Sequence, residues 1–265
     1  MMLVTGAAGI GKSALVQEIY KPVTRQRGYF IAGKFDQFQR NIPYSAFIQA
    51  FRSLMRHLLT ESEAEIAAWR QKIFTAVGNN GQVLIDVIPE VELIIGQQPD
   101  VLLLGPAEAQ RRLNLVFQNF ITVFTQPEHP LVIFLDDLQW ADGASLKLME
   151  SLMTATEQHY LLLIGAYREN EIRPGHPLHM TIEAMRQAYA TIHTLSLSPL
   201  DGVAVKQLIA DTMRCKPMEA KRLAELVVAK TGGNPFFLNE FLKSLYVTGI
   251  VHFNHTRGKW SCNLD

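Results

Sequence analysis

The sequence predicts an α/β fold in which a parallel sheet is flanked by helices and followed by a small helical module. Two apolar runs of strand length, residues 131–135 and 160–166, are continuous rather than alternating, and residues 145–153 between them have a helical period. Continuous apolar strands joined through a helix are typical of a parallel sheet that is covered on both faces. After Pro199 the strand signal stops and helical periodicity continues, which predicts the separate module.

The remaining elements are predicted from apolar spacing and from turn residues. Residues 61–105 contain Gly78 and Pro89 and predict short helices and connections. The other predicted strands of the sheet are residues 3–5, 29–35 and 191–195, and the other predicted helices beside it are residues 12–19, 44–60 and 107–124. The module is predicted to contain helices at 201–213, 217–230 and 235–247, and then two short strands at 250–253 and 258–261 around a turn rich in Asn254, Thr256 and Gly258.

Length and composition restrict the classes of function. The 265 residues, 48% hydrophobic and 19% charged, are typical of a globular chain. The 25 Lys and Arg balance the 25 Asp and Glu, so no overall field attracts nucleic acid or anionic lipid, and we expect neither partner for this segment. Cys215 and Cys262 form no CxxC pair and suggest no disulfide framework, which favours a cytoplasmic location.

A glycine-rich loop separates the first predicted strand from the first predicted helix. Gly6, Gly11, Lys12 and Ser13 have the spacing of a phosphate-binding P-loop, for which an accidental glycine turn is the alternative. Glycines let backbone N–H groups surround a phosphate, and the lysine and the serine of such a loop bind the β- and γ-phosphates and Mg²⁺. The predicted nucleotide-binding residues of this segment are Gly6, Ala7, Ala8, Gly9, Ile10, Gly11, Lys12, Ser13 and Ala14.

Two acidic residues follow the apolar run 131–135. We expect Asp136, with Ser13, to bind Mg²⁺, and Asp137 to orient or deprotonate the attacking water. Because Asp is shorter than Glu by a methylene group, slow hydrolysis is expected. The alternative is that the two acids cap a helix, since the nearby Asp142 and Ser145 are also cap-forming residues.

Arg168 directly follows the apolar run 160–166. The carboxyl ends of parallel strands line the ligand crevice, so an arginine there can contact a γ-phosphate, whereas a plain surface arginine is the alternative. His176 and His179 are interrupted by Pro177, so we expect structural roles for them rather than metal binding. The predicted catalytic residues are Lys12, Asp136, Asp137 and Arg168.

Three segments resemble the AAA-like ATPase modules of the STAND class, which are signal-transduction ATPases with numerous domains. They are residues 6–13, residues 131–142, which read LVIFLDDLQWAD, and residues 232–236, which read GGNPF. Residues 33–37 and 163–168 more narrowly resemble the ATPase segment of large bacterial proteins that join a serine/threonine kinase-like domain to a sensor histidine kinase. The resemblance covers nearly the whole chain.

The resemblance implies a switch that depends on ATP and Mg²⁺. In that class the strand-end arginine, here Arg168, contacts the γ-phosphate, and the Gly-Asn-Pro segment brings the helical module over the nucleotide, which would place Pro235 near the adenine. ATP reshapes the module and hydrolysis resets it, so that a state is transmitted to attached domains. The implied partners are covalently attached kinase or sensor domains of a longer protein and, through nucleotide-dependent self-association, other copies of the chain.

We therefore expect a P-loop NTPase core at residues 1–197, a helical lid at 198–248 and the beginning of a winged-helix-like segment at 249–265. Family members carry a base-binding segment before the first strand, and this sequence starts at that strand, so we expect a portion of a longer protein. The expected function is an ATP-binding, slowly hydrolysing switch within a signal-transduction kinase. The alternatives are the ATPase module of a STAND transcriptional regulator and a nucleotide-binding scaffold without turnover.

Overall fold

The computed structural model describes residues 1–39, 42–155, 159–254 and 259–263. The chain divides into two compact units, one of Met1–Thr5 and Ser13–Leu195 and the other of Gly6–Lys12 and Ser196–Asp265. The first unit contains the large sheet, and the second contains the glycine-rich loop and the helical module. Within the described ranges, no helix has both the length and the apolar character that a membrane span requires.

The first unit confirms the predicted parallel sheet. Its strands are β1 (Met2–Thr5), β2 (Tyr29–Lys34), β3 (Leu131–Asp136), β4 (Leu161–Tyr167) and β5 (His193–Ser196). They lie in the order β2-β3-β4-β1-β5, so that β3, β4 and β1 are central. In this register Leu131 pairs with Leu161, and Met2 pairs with Ile164. The central strands therefore end together at one edge of the sheet.

Helices flank this sheet. They are α1 (Lys12–Gln17), α2 (Tyr20–Arg25), α3 (Ser45–Leu58), α4 (Glu63–Val77), α5 (Gly81–Ile85), α6 (Glu92–Ile95), α7 (Pro106–Thr122), α8 (Gly143–Thr154) and α9 (Pro177–Gln187). The prediction of only short helices in residues 61–105 is wrong for α4, which has 15 residues. Ser62 and Glu65 begin α4 with a reciprocal capping box, which satisfies backbone N–H groups that the helix itself leaves unpaired.

Close packing of α3 on the edge strand β2 positions the end of that strand. A Cβ atom on Gly33 would overlap the carbonyl oxygen of Ala46, so only glycine allows this approach. The backbone N–H of Lys34 donates a 2.8 Å hydrogen bond to Oε1 of Gln49 in α3. A ring cluster formed by Phe51, Phe117, Phe120 and Phe124 packs α3 against α7. The last residue of β2 is thus held beside the end of β3.

The second unit has a separate core. Its elements are α10 (Gly202–Met213), α11 (Lys221–Thr231), α12 (Pro235–Val247) and the antiparallel pair β6 (Val251–Asn254) and β7 (Lys259–Cys262). The core is formed by buried residues that include Val205, Ile209, Val227 and Leu238. The predicted helices and the two short strands are confirmed, while Thr256 and Gly258 of the predicted turn lie outside the described residues.

A buried carboxylate, paired with two exposed arginines, connects α3 to the segment that precedes α6. Glu90 is 9% exposed and accepts hydrogen bonds from Nε of Arg52 at 2.8 Å and from Nη2 of Arg56 at 2.9 Å. Burial opposes ionisation of Glu90, but these hydrogen bonds outweigh burial and lower the pKa of its carboxyl group. The stability that the lowered pKa contributes is present above the ordinary carboxyl pKa and is lost as the pH falls through the folded-state pKa.

We expect Glu90→Gln to lower the free energy of unfolding by about 1–2 kcal/mol at neutral pH, because two guanidinium groups lose their carboxylate. Urea denaturation over a series of decreasing pH values should show this difference shrinking towards acid. The matched control is Glu183→Gln, which removes an exposed partner of Arg186 and should change stability by less than about 0.5 kcal/mol. A difference that does not depend on pH would contradict the role of the Glu90 charge.

Candidate functional site

Ser13 and Asp136, predicted to bind a metal together, are in contact in the first unit. Oγ of Ser13 donates a 2.7 Å hydrogen bond to Oδ2 of Asp136, across 123 positions of sequence. The other carboxylate oxygen of Asp136 accepts a 2.9 Å hydrogen bond from the backbone N–H of Asp137. Mg²⁺ in nucleotide sites takes one or two protein oxygens and keeps several waters. A serine hydroxyl beside a strand-end carboxylate fits that requirement.

Asp137 lies immediately beyond β3 and is buried, with 4% of its surface exposed. Its backbone φ of 54° is left-handed, a conformation that Asp and Asn tolerate better than most residues. Nε2 of Gln139 donates a 2.8 Å hydrogen bond to Oδ1, and Nζ of Lys34 lies 3.0 Å from Oδ2. Nε of Arg168 is 3.6 Å from Oδ1. The buried carboxylate therefore has two cations beside it.

The proposed alternative, that these two acids cap a helix, is wrong. Asp142 caps α8, because its Oδ1 accepts a 2.8 Å hydrogen bond from the backbone N–H of Ser145. Asp136 accepts instead from Ser13 and from its neighbour, and Asp137 makes no side-chain cap bond where it begins the short turn 138–140. Both carboxylates thus lie at the sheet edge without capping a helix.

Arg168 is a constrained residue rather than a plain surface arginine. Its side chain is 28% exposed, and its Nη1 donates a 2.8 Å hydrogen bond to Glu171. The guanidinium carbon lies 5.1 Å from the centre of the Trp140 ring, within the range of a cation–π contact. The backbone N–H of Arg168 also donates to Oε1 of Gln139. These contacts hold the arginine at the end of β4, beside Asp137.

Sequence reasoning missed Lys34, Gln139 and Trp140. Lys34 pairs with Asp136 in the β2–β3 register, which brings its side chain within reach of Asp137. The hydrogen bond to Asp137 raises the pKa of the Lys34 ammonium group above its ordinary value, against the opposing effect of burial. The sequence offered one signal for Lys34, which is its position near the carboxyl end of the predicted strand 29–35. The carboxyl ends of parallel strands share one edge of a sheet, so Lys34 could have been expected near Asp137.

The glycine-rich loop belongs to the second unit. Nζ of Lys12 donates hydrogen bonds to the carbonyl oxygens of Gly6, at 3.0 Å, and Ala7, at 2.9 Å. Gly11 has a φ of +99°, which explains why this position requires glycine although open space surrounds it. The lysine side chain is thus folded back over the loop that precedes it.

Pro235 occupies the first turn of α12, as predicted from the GGNPF segment. Asn234 caps this helix, and its side chain also donates a 2.9 Å hydrogen bond to the carbonyl oxygen of Ala8. The backbone N–H of Phe236 donates to the carbonyl oxygen of Gly9 at 3.1 Å. The structure therefore brings the residues on both sides of Pro235 to the loop, and Asn234 was not predicted as a site residue.

Known proteins resemble this chain over most of its length. Residues 1–164 match the family model described as the AAA ATPase domain. Among curated proteins, the hybrid signal transduction histidine kinase G of Dictyostelium discoideum is 29% identical over 327 aligned positions, which cover 100% of this chain and 9% of that protein. The peroxide stress-activated histidine kinase mak3 of Schizosaccharomyces pombe is 23% identical, covering 100% of this chain and 13% of that protein.

The chain thus spans 9–13% of the length of these curated relatives. Among solved structures, that of Drosophila ORC bound to DNA has 12% sequence identity and a TM-score of 0.38, and covers 93% of this chain and 51% of that chain.

Proposed function

The chain belongs to the AAA ATPase domain family, and from that premise we propose that it is an ATP-binding, slowly hydrolysing switch of the STAND class within a longer signalling kinase. The observation that carries the proposal is the 2.7 Å hydrogen bond between Ser13 and Asp136. It joins the serine of the predicted P-loop to the acid of the predicted strand end, which is the pairing that a nucleotide-bound Mg²⁺ requires.

Phosphate binding is assigned to residues 6–14. Their backbone N–H groups and the Lys12 ammonium group would neutralise the β- and γ-phosphates. Ser13 and Asp136 would hold Mg²⁺, which supplies positive charge to the phosphate oxygens. The oxygen-only donor set supports Mg²⁺ rather than a soft metal. Pro235 is assigned to the adenine, as the resemblance to the STAND class implies.

Asp137 is proposed to orient or deprotonate the attacking water, and Arg168 to contact the γ-phosphate. Both oxygens of Asp137 already have partners: Gln139 and Arg168 at Oδ1, and Lys34 at Oδ2. Lys34 is the most exposed of these partners, with 60% of its side chain exposed against 28% for Arg168. A short carboxylate that must exchange a partner before it receives a proton supports slow turnover.

The setting in a kinase is supported by the relatives. The curated proteins named above are histidine kinases, and each is several times longer than this chain. We propose that kinase or sensor domains are covalently attached partners and that nucleotide controls self-association. A cytoplasmic location is part of the proposal, because Cys215 and Cys262 are free thiols and such thiols persist in a reducing compartment.

A binding titration with ATP and Mg²⁺, run beside a phosphate-release assay on the same preparation, tests the proposal. We expect saturable binding and measurable but slow release of phosphate. Binding without release would favour the nucleotide-binding scaffold. Absence of binding would overturn the proposed function.

A further inference from the structure

Four consecutive carbonyl oxygens of the glycine-rich loop accept hydrogen bonds. Those of Gly6 and Ala7 accept from Nζ of Lys12. Those of Ala8 and Gly9 accept from the start of α12, through Nδ2 of Asn234 at 2.9 Å and the backbone N–H of Phe236 at 3.1 Å. The loop is therefore held by two different groups, and only the lysine belongs to the loop motif.

The carbonyl contacts determine where the loop N–H groups point. In a planar trans peptide the C=O and the N–H point in opposite directions. Holding the Ala8 and Gly9 carbonyls towards α12 therefore directs the N–H groups of Gly9 and Ile10 away from that helix. The Ile10 N–H closes a turn onto Ala7, with a donor–acceptor distance of 3.4 Å. A phosphate-binding loop depends on this orientation of its peptide groups.

Asn234 is suited to this contact at both ends of its amide. Its Oδ1 accepts a 3.1 Å hydrogen bond from the backbone N–H of Phe236, as the N-cap of α12. That bond leaves the NH₂ group to donate to Ala8, which a carboxylate, having acceptors only, could not do in the same place. The donor is thus oriented by the helix that it begins.

Gly9 allows this approach of α12 to the loop, and Gly233 allows the segment before α12 to pack on Leu200. Gly9 has a φ of +73°, and a Cβ there would lie 2.7 Å from Cβ of Phe236 and 2.9 Å from Oδ1 of Asn234. Gly233 has a φ of +76°, and a Cβ there would overlap the carbonyl oxygen of Leu200. Gly9 occupies a variable position of the P-loop pattern, so its contact with α12 explains this glycine where the motif does not.

We propose that Asn234 is a positioning residue for phosphate binding: it acts through the Ala8 carbonyl and couples α12 to the loop. The inference rests on the proposed function, because it requires that residues 6–13 bind nucleotide. Since Lys12 is assigned to the phosphates, the start of α12 is the part of the unit that continues to hold the loop when nucleotide is bound. Nucleotide should therefore stabilise α12 through this amide.

The test exchanges the amide for a carboxylate of the same shape. Asn234→Asp keeps the helix cap, because Asp is as good an N-cap as Asn, but it places an acceptor against the Ala8 carbonyl. We expect ADP, titrated by calorimetry, to bind at least about tenfold more weakly, the effect of one lost hydrogen bond together with repulsion. ADP should slow the hydrogen exchange of α12 amides in the wild type but not in this variant. A purely structural role of Asn234 would not remove the ADP-dependent difference in exchange.

Two further variants make the result decisive. Asn234→Ser also keeps a cap but lacks the NH₂ donor, and should weaken ADP binding in the same direction even if the aspartate variant fails to fold. Asp201→Asn makes the reverse exchange at the N-cap of α10, where the side chain accepts from Ala204, and should leave ADP affinity unchanged.

Equal ADP affinity and equal exchange protection in the wild type and in the folded Asn234 variants would overturn this inference alone. A wild type that does not bind ADP would overturn the proposed function, and this inference with it.

Discussion

Lys12→Ala is expected to weaken ATP binding at least about 100-fold, because a buried ammonium group assigned to the phosphates is removed and charge-assisted hydrogen bonds are the strongest of their kind. Lys12 is 7% exposed, and its Nζ lies within hydrogen-bonding distance of the loop carbonyls of Gly6 and Ala7. The ammonium group is therefore already positioned at the glycine-rich loop. Titration with ATP and Mg²⁺ measures the effect.

The control for this variant has to separate the effect of losing the Lys12 charge from the effect of destabilising the fold. Lys243→Ala removes an exposed lysine of the same unit, whose ammonium group pairs with Glu240, and should leave the affinity unchanged. Lys12→Met, which keeps most of the aliphatic stem, should behave like Lys12→Ala. Wild-type affinity in both Lys12 variants, with their folding confirmed by thermal unfolding, would remove Lys12 from phosphate binding.

Asp137→Asn is expected to keep ATP binding within about threefold and to lower the hydrolysis rate at least about 100-fold, the usual contribution of a general base. The variant should fold, because Asn has the same shape and tolerates the left-handed backbone at this position. Its amide oxygen can still accept from Lys34 or Gln139, but it cannot take a proton from water. Phosphate release at saturating ATP measures the loss.

The matched control is Asp142→Asn, because Asp142 caps α8 and is not one of the predicted site residues. Asn caps as well as Asp, so α8 and the hydrolysis rate should both be preserved. Hydrolysis at the wild-type rate in Asp137→Asn would exclude Asp137 as the base. Loss of both binding and stability would indicate that the Lys34 and Arg168 contacts of Asp137 are structural.

The strands β3 and β4 were predictable because each contains a continuous apolar run whose residues the sheet leaves buried or half-buried. For β3, residues 131–135 are all buried in the structure. The helix α4 was not predictable in the same way, since its apolar residues do not all share one face: Trp69 and Ile73 are buried, whereas Phe74 is 45% exposed. Where apolar residues occur on more than one face of a helix, the helical period of the sequence no longer predicts which face is buried.

The sequence by itself determined the fold class, the P-loop motif and the strand-end acids, because these depend on residues that are neighbours along the chain. Only the tertiary structure decided the partners of those residues. Lys34 reaches Asp137 because β2 lies next to β3, and Asn234 reaches Ala8 across 226 positions of sequence. Such contacts depend on strand order and on helix packing, which no local pattern encodes.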